Sequence, residues 1–209
     1  MKNRKTAISL ILFIVSSFSI FSKSQKQELL STTLSGLRLS AGYTNAFSLY
    51  NMDIYSKVAA GGFLDFEYTL LPELKDNLDI GFYGKASYQN FIPYNLQLNR
   101  LDSFTFSGGL FGQKNFSNDI SIFLSAGAGF MINQLDFTSA EGNDIQDVYY
   151  DFALESDFYI RKKIIGNKTI NLLAGPGCHF SFYNEKSKSF CTIGPEFSLS
   201  LDFKPVKAK

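Results

Sequence analysis

The sequence predicts an all-β fold: an eight-stranded antiparallel up-and-down transmembrane β-barrel. Three observations carry that expectation. Eight successive segments alternate apolar and polar residues, the two-residue period of a β-strand. Within them one face collects the charged side chains, while the other carries almost none and ends in aromatics. The chain also begins with an export signal and contains no later window long and apolar enough for a transmembrane helix. A chain of this kind can cross a bilayer only as a closed barrel, the one strand arrangement that leaves no backbone group unpaired in hydrocarbon.

The N-terminus, "MKNRKTAISLILFIVSSFSIFSKSQ", places Lys2, Arg4 and Lys5 ahead of an apolar run from Ala7 to Val15. That run is well under the ~18 residues of a spanning helix and has the layout of a cleavable signal peptide. Ser22 and Ser24 provide the small residues for cleavage before Gln25, and no cysteine nearby offers a lipid anchor. The expected organisation is a signal peptide at 1–24, an N-terminal periplasmic segment at 25–34, the barrel at 35–203 and a tail at 204–209. Removing residues 1–24 takes Lys2, Arg4, Lys5 and Lys23, leaving 16 basic against 19 acidic residues and a net charge of −3. This charge, with no internal basic cluster, excludes a nucleic-acid partner.

The segments follow in order. "SGLRLSAGYT" (Ser35 to Thr44) sends Leu37, Leu39, Ala41 and Tyr43 one way and Arg38, Ser40 and Gly42 the other. "VAAGGFLDFEYTL" (Val58 to Leu70) opposes Leu64, Phe66, Tyr68 and Leu70 to Asp65, Glu67 and Thr69. "LDIGFYGKASY" (Leu78 to Tyr88) opposes Ile80, Phe82 and Ala86 to Asp79, Lys85 and Ser87. "SFTFSGGLFGQK" (Ser103 to Lys114) opposes Phe104, Phe106 and Leu110 to Thr105, Ser107 and Gln113. "ISIFLSAGAGFMIN" (Ile120 to Asn133) aligns Ile120, Ile122, Leu124, Phe130 and Ile132 on one face. "VYYDFALESDFYIR" (Val148 to Arg161) sets Tyr150, Phe152, Leu154 and Phe158 against Asp151, Glu155, Asp157 and Arg161. "TINLLAGPGCHFSFY" (Thr169 to Tyr183) sets Leu172, Phe180 and Phe182 against Asn171, His179 and Ser181. The last segment starts near Cys191 and ends in "EFSLSLDF", with Phe197, Leu199, Leu201 and Phe203 facing away from Glu196, Ser198, Ser200 and Asp202.

These segments exceed the ~5–6 residues usual in globular strands and suit tilted membrane-spanning ones. Compact connections ("LPELKDN", "SND", "KKIIGNK") alternate with longer ones at 45–57, 89–102 and 134–147, the layout of periplasmic turns and extracellular loops. An even strand number puts both termini on the periplasmic side. Tyr43, Phe66, Tyr68, Phe82, Tyr88, Tyr150, Phe158 and Phe203 are candidates for interfacial girdles. The alternative is a soluble lipocalin-like barrel, which needs the apolar face inside and the charges outside. Glycines and opposite charges sharing the polar face favour a narrow, plugged lumen instead.

The candidate lumen charges are Arg38, Asp65, Glu67, Lys85, Asp151, Glu155, Asp157, Arg161 and Glu196. Counted from the strand ends, Asp65, Lys85, Glu155, Asp157 and Glu196 fall at one mid-depth, and Arg38 lies level with Glu67 and Asp202. Buried charges persist when paired. Lys85 alone does not neutralise its group, so a protonated carboxylate, a cation or waters complete it. No metal spacing, phosphate loop or cofactor motif occurs, and neither a cofactor nor a resident metal is expected.

With a signal peptide, eight alternating segments and a terminal "FSLSLDF", the chain resembles the small outer-membrane barrels of diderm bacteria, such as the OmpA transmembrane domain, OmpX and OmpW. That resemblance implies an outer-membrane location, outer-membrane lipid around the barrel, and structural, surface-interaction or small-solute roles. It also implies that Phe197, Leu199, Leu201 and Phe203 act as the signal read by the barrel-assembly machinery, although "KPVKAK" follows Phe203 here. A weaker resemblance links His179-Phe180-Ser181, with Glu185 or Glu196 downstream, to outer-membrane lipid A 3-O-deacylases, which use a His-x-Ser pair. Imidazole can take a serine proton when a carboxylate orients the ring. By parity, however, His179 and Ser181 face the lumen, where lipid has no access. Cys178 and Cys191 oppose one another if Asn184-Glu185 is a two-residue turn, and either bond or remain two lipid-facing thiols. The acidic segment 134–147 and the more apolar 89–102 are the candidate loops for an extracellular ligand.

Overall fold

The computed structural model describes residues 34–49, 56–74, 77–93, 98–116, 119–139, 142–167, 170–185 and 188–204. The expected signal peptide, nearly all of the 25–34 segment and most of the tail lie outside them. The strands are β1 (Leu37–Leu49), β2 (Ser56–Leu74), β3 (Leu78–Pro93), β4 (Leu98–Asn115), β5 (Ile120–Thr138), β6 (Asp144–Gly166), β7 (Ile170–Glu185) and β8 (Lys188–Phe203). Each pairs antiparallel with the next, and β8 returns to β1 through Ser40↔Ser200 and Thr44↔Glu196, closing the barrel. The compact turns use left-handed residues at Asn77 (φ 59°) and Asp119 (φ 57°). Short polar side chains tolerate that conformation because they bond locally.

Period-two alternation assigns every strand an inner and an outer face. Asp65 is 5% exposed while its neighbour Leu64 is 56% exposed, and the same inversion repeats around the wall. Leu110, Leu124, Phe130 and Phe197 stand on the outside with Leu64, whereas Arg38, Glu67, Lys85, Glu155, Asp157, Arg161, His179 and Glu196 are buried inside. The arrangement is that of a barrel solvated by lipid, opposite to a lipocalin. Among the girdle candidates Phe203 alone is buried, at the end of β8 where it pairs with Ile170.

One expectation changes and another is decided. The segments 45–57, 89–102 and 134–147 are not long loops, because the strands continue into them. β3 runs to Pro93 and β4 starts at Leu98, while β5 reaches Thr138 and β6 starts at Asp144. Cross-strand pairing carries on past the membrane zone, as in Leu98↔Phe137 and Thr138↔Asp144. The second point selects between the two alternatives open for the cysteines. The β7–β8 register places Cys178 opposite Pro195 and Cys191 opposite Phe182, with Glu185↔Lys188 as the last pair. Asn184 and Glu185 are therefore paired strand residues and not the turn, and both thiols are free.

The interior is also more apolar than expected. One cluster joins Phe91, Leu101, Met131, Tyr183 and the small residues Ala46, Ala59 and Ala153. A second joins Phe63, Tyr83, Phe111, Phe123 and Tyr159. These residues occupy inward positions of strands whose other inward residues are charged or small. An eight-stranded barrel has room for little besides side chains, and these fill it.

The face assignment gives a direct test. Leu64→Arg should lower barrel stability by ~2–4 kcal/mol by placing a charge in lipid, whereas Asp65→Asn should cost well under half as much. Urea unfolding in lipid vesicles measures both, and the reverse order would turn the barrel inside out.

Candidate functional site

The candidate site is the lumen, built from inward positions of β1 to β8. Its lower group centres on Glu67 of β2. Arg161 of β6 donates to it through two nitrogens, Nη2 to Oε1 at 2.6 Å and Nη1 to Oε2 at 3.0 Å. Arg38 of β1 donates from Nη1 to the same Oε2 at 2.5 Å, to Gln113 Oε1 at 2.6 Å, and from Nη2 to Asp202 Oδ1 at 3.1 Å. A fork-shaped guanidinium suits this shared, partly bidentate pairing, which a point-charge ammonium does not reproduce. Arg161 also lies over the rings of Phe123 (4.2 Å) and Tyr159 (4.9 Å), so its faces meet π-electrons where its edges meet a carboxylate.

The central group forms around Lys85 of β3. Its Nζ lies 2.7 Å from Asp157 Oδ1, 3.1 Å and 3.3 Å from the two oxygens of Glu196, and 4.6 Å from the Phe63 ring centroid. Lys85 thus reaches across the lumen to β6 and β8, although Asp65 is its strand-pairing neighbour. Asp65 Oδ1 has no hydrogen-bond partner among the described residues. His179 completes the group. Its Nδ1 lies 2.6 Å from Asp157 Oδ1 and its Nε2 lies 3.6 Å from Glu155 Oε1. Tyr159 donates to Glu196, Ser107 to Glu155, and Ser125 to Asp157 Oδ2 at 3.2 Å. Asp151 stands nearer the outer end, where Asn133 donates to its Oδ2 at 2.6 Å.

The chemistry this permits is narrow. Both His179 nitrogens face carboxylate oxygens, so neither is directed at Ser181, whose Oγ bonds to no described residue. His and Ser are both buried inside the closed wall. A hydrolytic dyad needs a base within hydrogen-bond reach of the nucleophile, and His179 instead acts as a bridge between Asp157 and Glu155. Asp157, His179 and Glu196 offer ligand atoms within 4.8 Å of one another. The Lys85 ammonium already sits among them, 3.3 Å from His179 Nδ1, in the position a metal ion would take. The aromatic faces under Lys85 and Arg161 escape sequence reading. Their one trace is the run of inward aromatics (Phe63, Phe123, Tyr159) placed two or more residues from a charge on the same face.

The class defined by these features is a small, eight-stranded, inside-out barrel sealed by its own side chains. No protein-family profile matches the chain, and no curated protein matches it in sequence. Among solved structures it is similar to Neisserial surface protein A, with a TM-score of 0.53 and 13% identity over 81% of this chain and 98% of that one. The attachment invasion locus protein of Yersinia pestis, Ail, gives 0.47 and 12% identity over 79% and 99%. The N-terminal β-barrel domain of Pseudomonas aeruginosa OprF gives 0.38 and 10% identity over 78% and 98%. The Neisserial likeness shows the fold, the small outer-membrane type of barrel.

Lys85→Met should destabilise the barrel by ~3–5 kcal/mol, because it deprives the buried Asp157 and Glu196 carboxylates of the ammonium they share. Ser181→Ala should shift the unfolding midpoint little, since that hydroxyl holds no bond. Equilibrium unfolding of the refolded variants distinguishes the two.

Proposed function

We propose that the chain is exported through a signal peptide cleaved before Gln25 and inserted in the outer membrane. There the barrel serves as a closed, non-enzymatic support for a protein-binding edge on the outer surface. The observation that carries this reading is the uneven rim. The β5–β6 ladder continues to Thr138↔Asp144, while the β6–β7 ladder begins only at Phe152↔Asn184. Asp144–Val148 of β6 therefore has β5 on one side and, among the described residues, no strand on the other. A free edge of this kind accepts an added strand through main-chain hydrogen bonds.

The side chains select what is added. Asp136 and Asp144 lie on one face of this ribbon and Asp147 on the other, with Gln146 donating to Asp136 at 2.9 Å, Thr138 to Asp144 at 3.1 Å and Tyr149 to Asp147 at 2.6 Å. A second copy would bring the same carboxylates to the edge and be repelled. The fitting partner is an extended, basic segment of another protein, held by charge complementarity as well as by the backbone. The barrel beneath it supplies rigidity: the packed lumen supports a structural role and argues against conduction.

Three measurements test this reading. The protein should fractionate with the outer membrane and show heat-modifiable mobility, and planar bilayers containing it should show no steady conductance. A synthetic eight-residue peptide alternating Lys and Val should bind the refolded barrel, and Asp144→Lys with Asp147→Lys should weaken binding about tenfold. Of Gln146→Pro and Asp147→Pro, one should abolish binding by removing the N–H that faces the open side. Stable single-channel currents, or binding indifferent to all these substitutions, would overturn the proposal.

A further inference from the structure

The outer wall carries a feature that neither the barrel fold nor the rim requires. Two adjoining clefts, about 570 Å3 and 330 Å3, run across the face formed by β7, β8, β1, β2, β3 and β4. They share Ala41, Leu64, Ala86 and Phe106 and so form one groove. Its floor is low because small residues, Ala41, Gly62, Gly84 and Ala86, occupy outward positions between Leu64, Phe66 and Phe106. At Gly84 a Cβ would lie 2.2 Å from the Phe66 ring, so that ring rests directly on the backbone and lines one end. At Gly62 only a backbone oxygen comes near, and the floor is open.

The other end is polar. Tyr88 and Phe104 line the groove as a cross-strand aromatic pair with centroids 4.9 Å apart, and the next outward pair along the same two strands is Asn90↔Asp102. Asp102 is outward by parity yet 0% exposed. Tyr88 donates to its Oδ1 at 3.0 Å and Asn90 at 2.6 Å, and Arg100 pairs with Oδ2. Arg100 itself is half exposed. A guanidinium has five N–H donors and Asp102 takes two of them, through Nε and Nη2, with Asp136 opposite Arg100 in the β4–β5 ladder; the Nη1 hydrogens point on toward a further anion.

We propose that this groove binds one lipid of the outer leaflet, with an acyl chain along Ala41, Gly62 and Ala86 and a phosphate headgroup against Arg100. The site rests on the membrane reading above, since the groove lies within the lipid-facing band. Its volume falls in the ~300–1,000 Å3 range of ligand clefts. Apolar length and the Arg100 guanidinium at the outer end match the two chemistries of a phosphate-bearing lipid.

The natural chain has no tryptophan, so an introduced one is a clean reporter. Phe106→Trp places it on the groove and Leu124→Trp outside it, on the adjoining strand β5. Both variants are refolded into phosphatidylcholine vesicles containing a minor fraction of phosphatidylglycerol brominated on its acyl chains. Groove quenching should exceed that at position 124 by about fivefold in apparent lipid occupancy, the effect of ~1 kcal/mol for one arginine at an anionic lipid surface. Arg100→Gln should bring the two positions level, and Ala41→Leu with Ala86→Leu should do the same by filling the floor. Heat-modifiable mobility verifies that each variant is folded. Equal quenching at both positions, or an excess that survives Arg100→Gln, overturns the lipid site. Absence of quenching at both positions would instead overturn membrane insertion itself.

Discussion

Every strand of this protein is held by the requirement that no backbone N–H or C=O face hydrocarbon unpaired. The ladder between β1 and β8 meets that requirement by joining the two ends of the sheet. Without it, β1 and β8 would each present an open edge to lipid, at several kcal/mol for every unsatisfied group. With it, the remaining architecture is constrained. Eight strands enclose a space only side chains can fill, and alternation forces every second residue into that space.

That forced inward burial explains the composition of the lumen. Charged groups enclosed there need partners, and these come both from the adjacent strand, as for Arg38 with Glu67 and Asp202, and from across the lumen. Glu67 is shared by guanidinium groups from β1 and β6, and Lys85 bonds to carboxylates of β6 and β8. The aromatic rings of Phe63, Phe123 and Tyr159 cover the flanks of the cations. The apolar cluster around Phe91 and Met131 then occupies the outer half. Charge and apolar bulk act together, the one fixing orientation and the other excluding water.

Alternation made the strand count, the face of each charge and the closed architecture legible from sequence. Arg38 with Glu67 and Asp202, and Lys85 with Asp157 and Glu196, could be anticipated from their depth. Strand ends could not. Segments such as "QLDFT" and "DIQDV" are polar enough to read as loop, and become strand because pairing between them continues without a membrane on either side. The cysteine pairing stayed open for a related reason: an even shift in hairpin register changes every partner while leaving each face unchanged. His179 was placed on the lumen side, but its bridging position between Asp157 and Glu155 depends on three-dimensional spacing that periodicity does not encode. Inward aromatics were hidden because they interrupt the polar face where a strict alternation would have polar residues.

The reach of the ion pairs across the barrel has a consequence for how the chain is completed. β8 contributes Asp202 to Arg38 and Glu196 to Lys85, and it follows the other seven strands of the barrel in chain order. A sheet of seven strands holds both cations short of a carboxylate, with its interior open to water along the missing wall. Docking of the eighth strand supplies the final two acceptors and the final two ladders of backbone bonds, to β7 and to β1, in one event. Electrostatic neutralisation and covalent order are thereby linked, and a truncated chain keeps a wet, unbalanced interior that distinguishes it from a finished one.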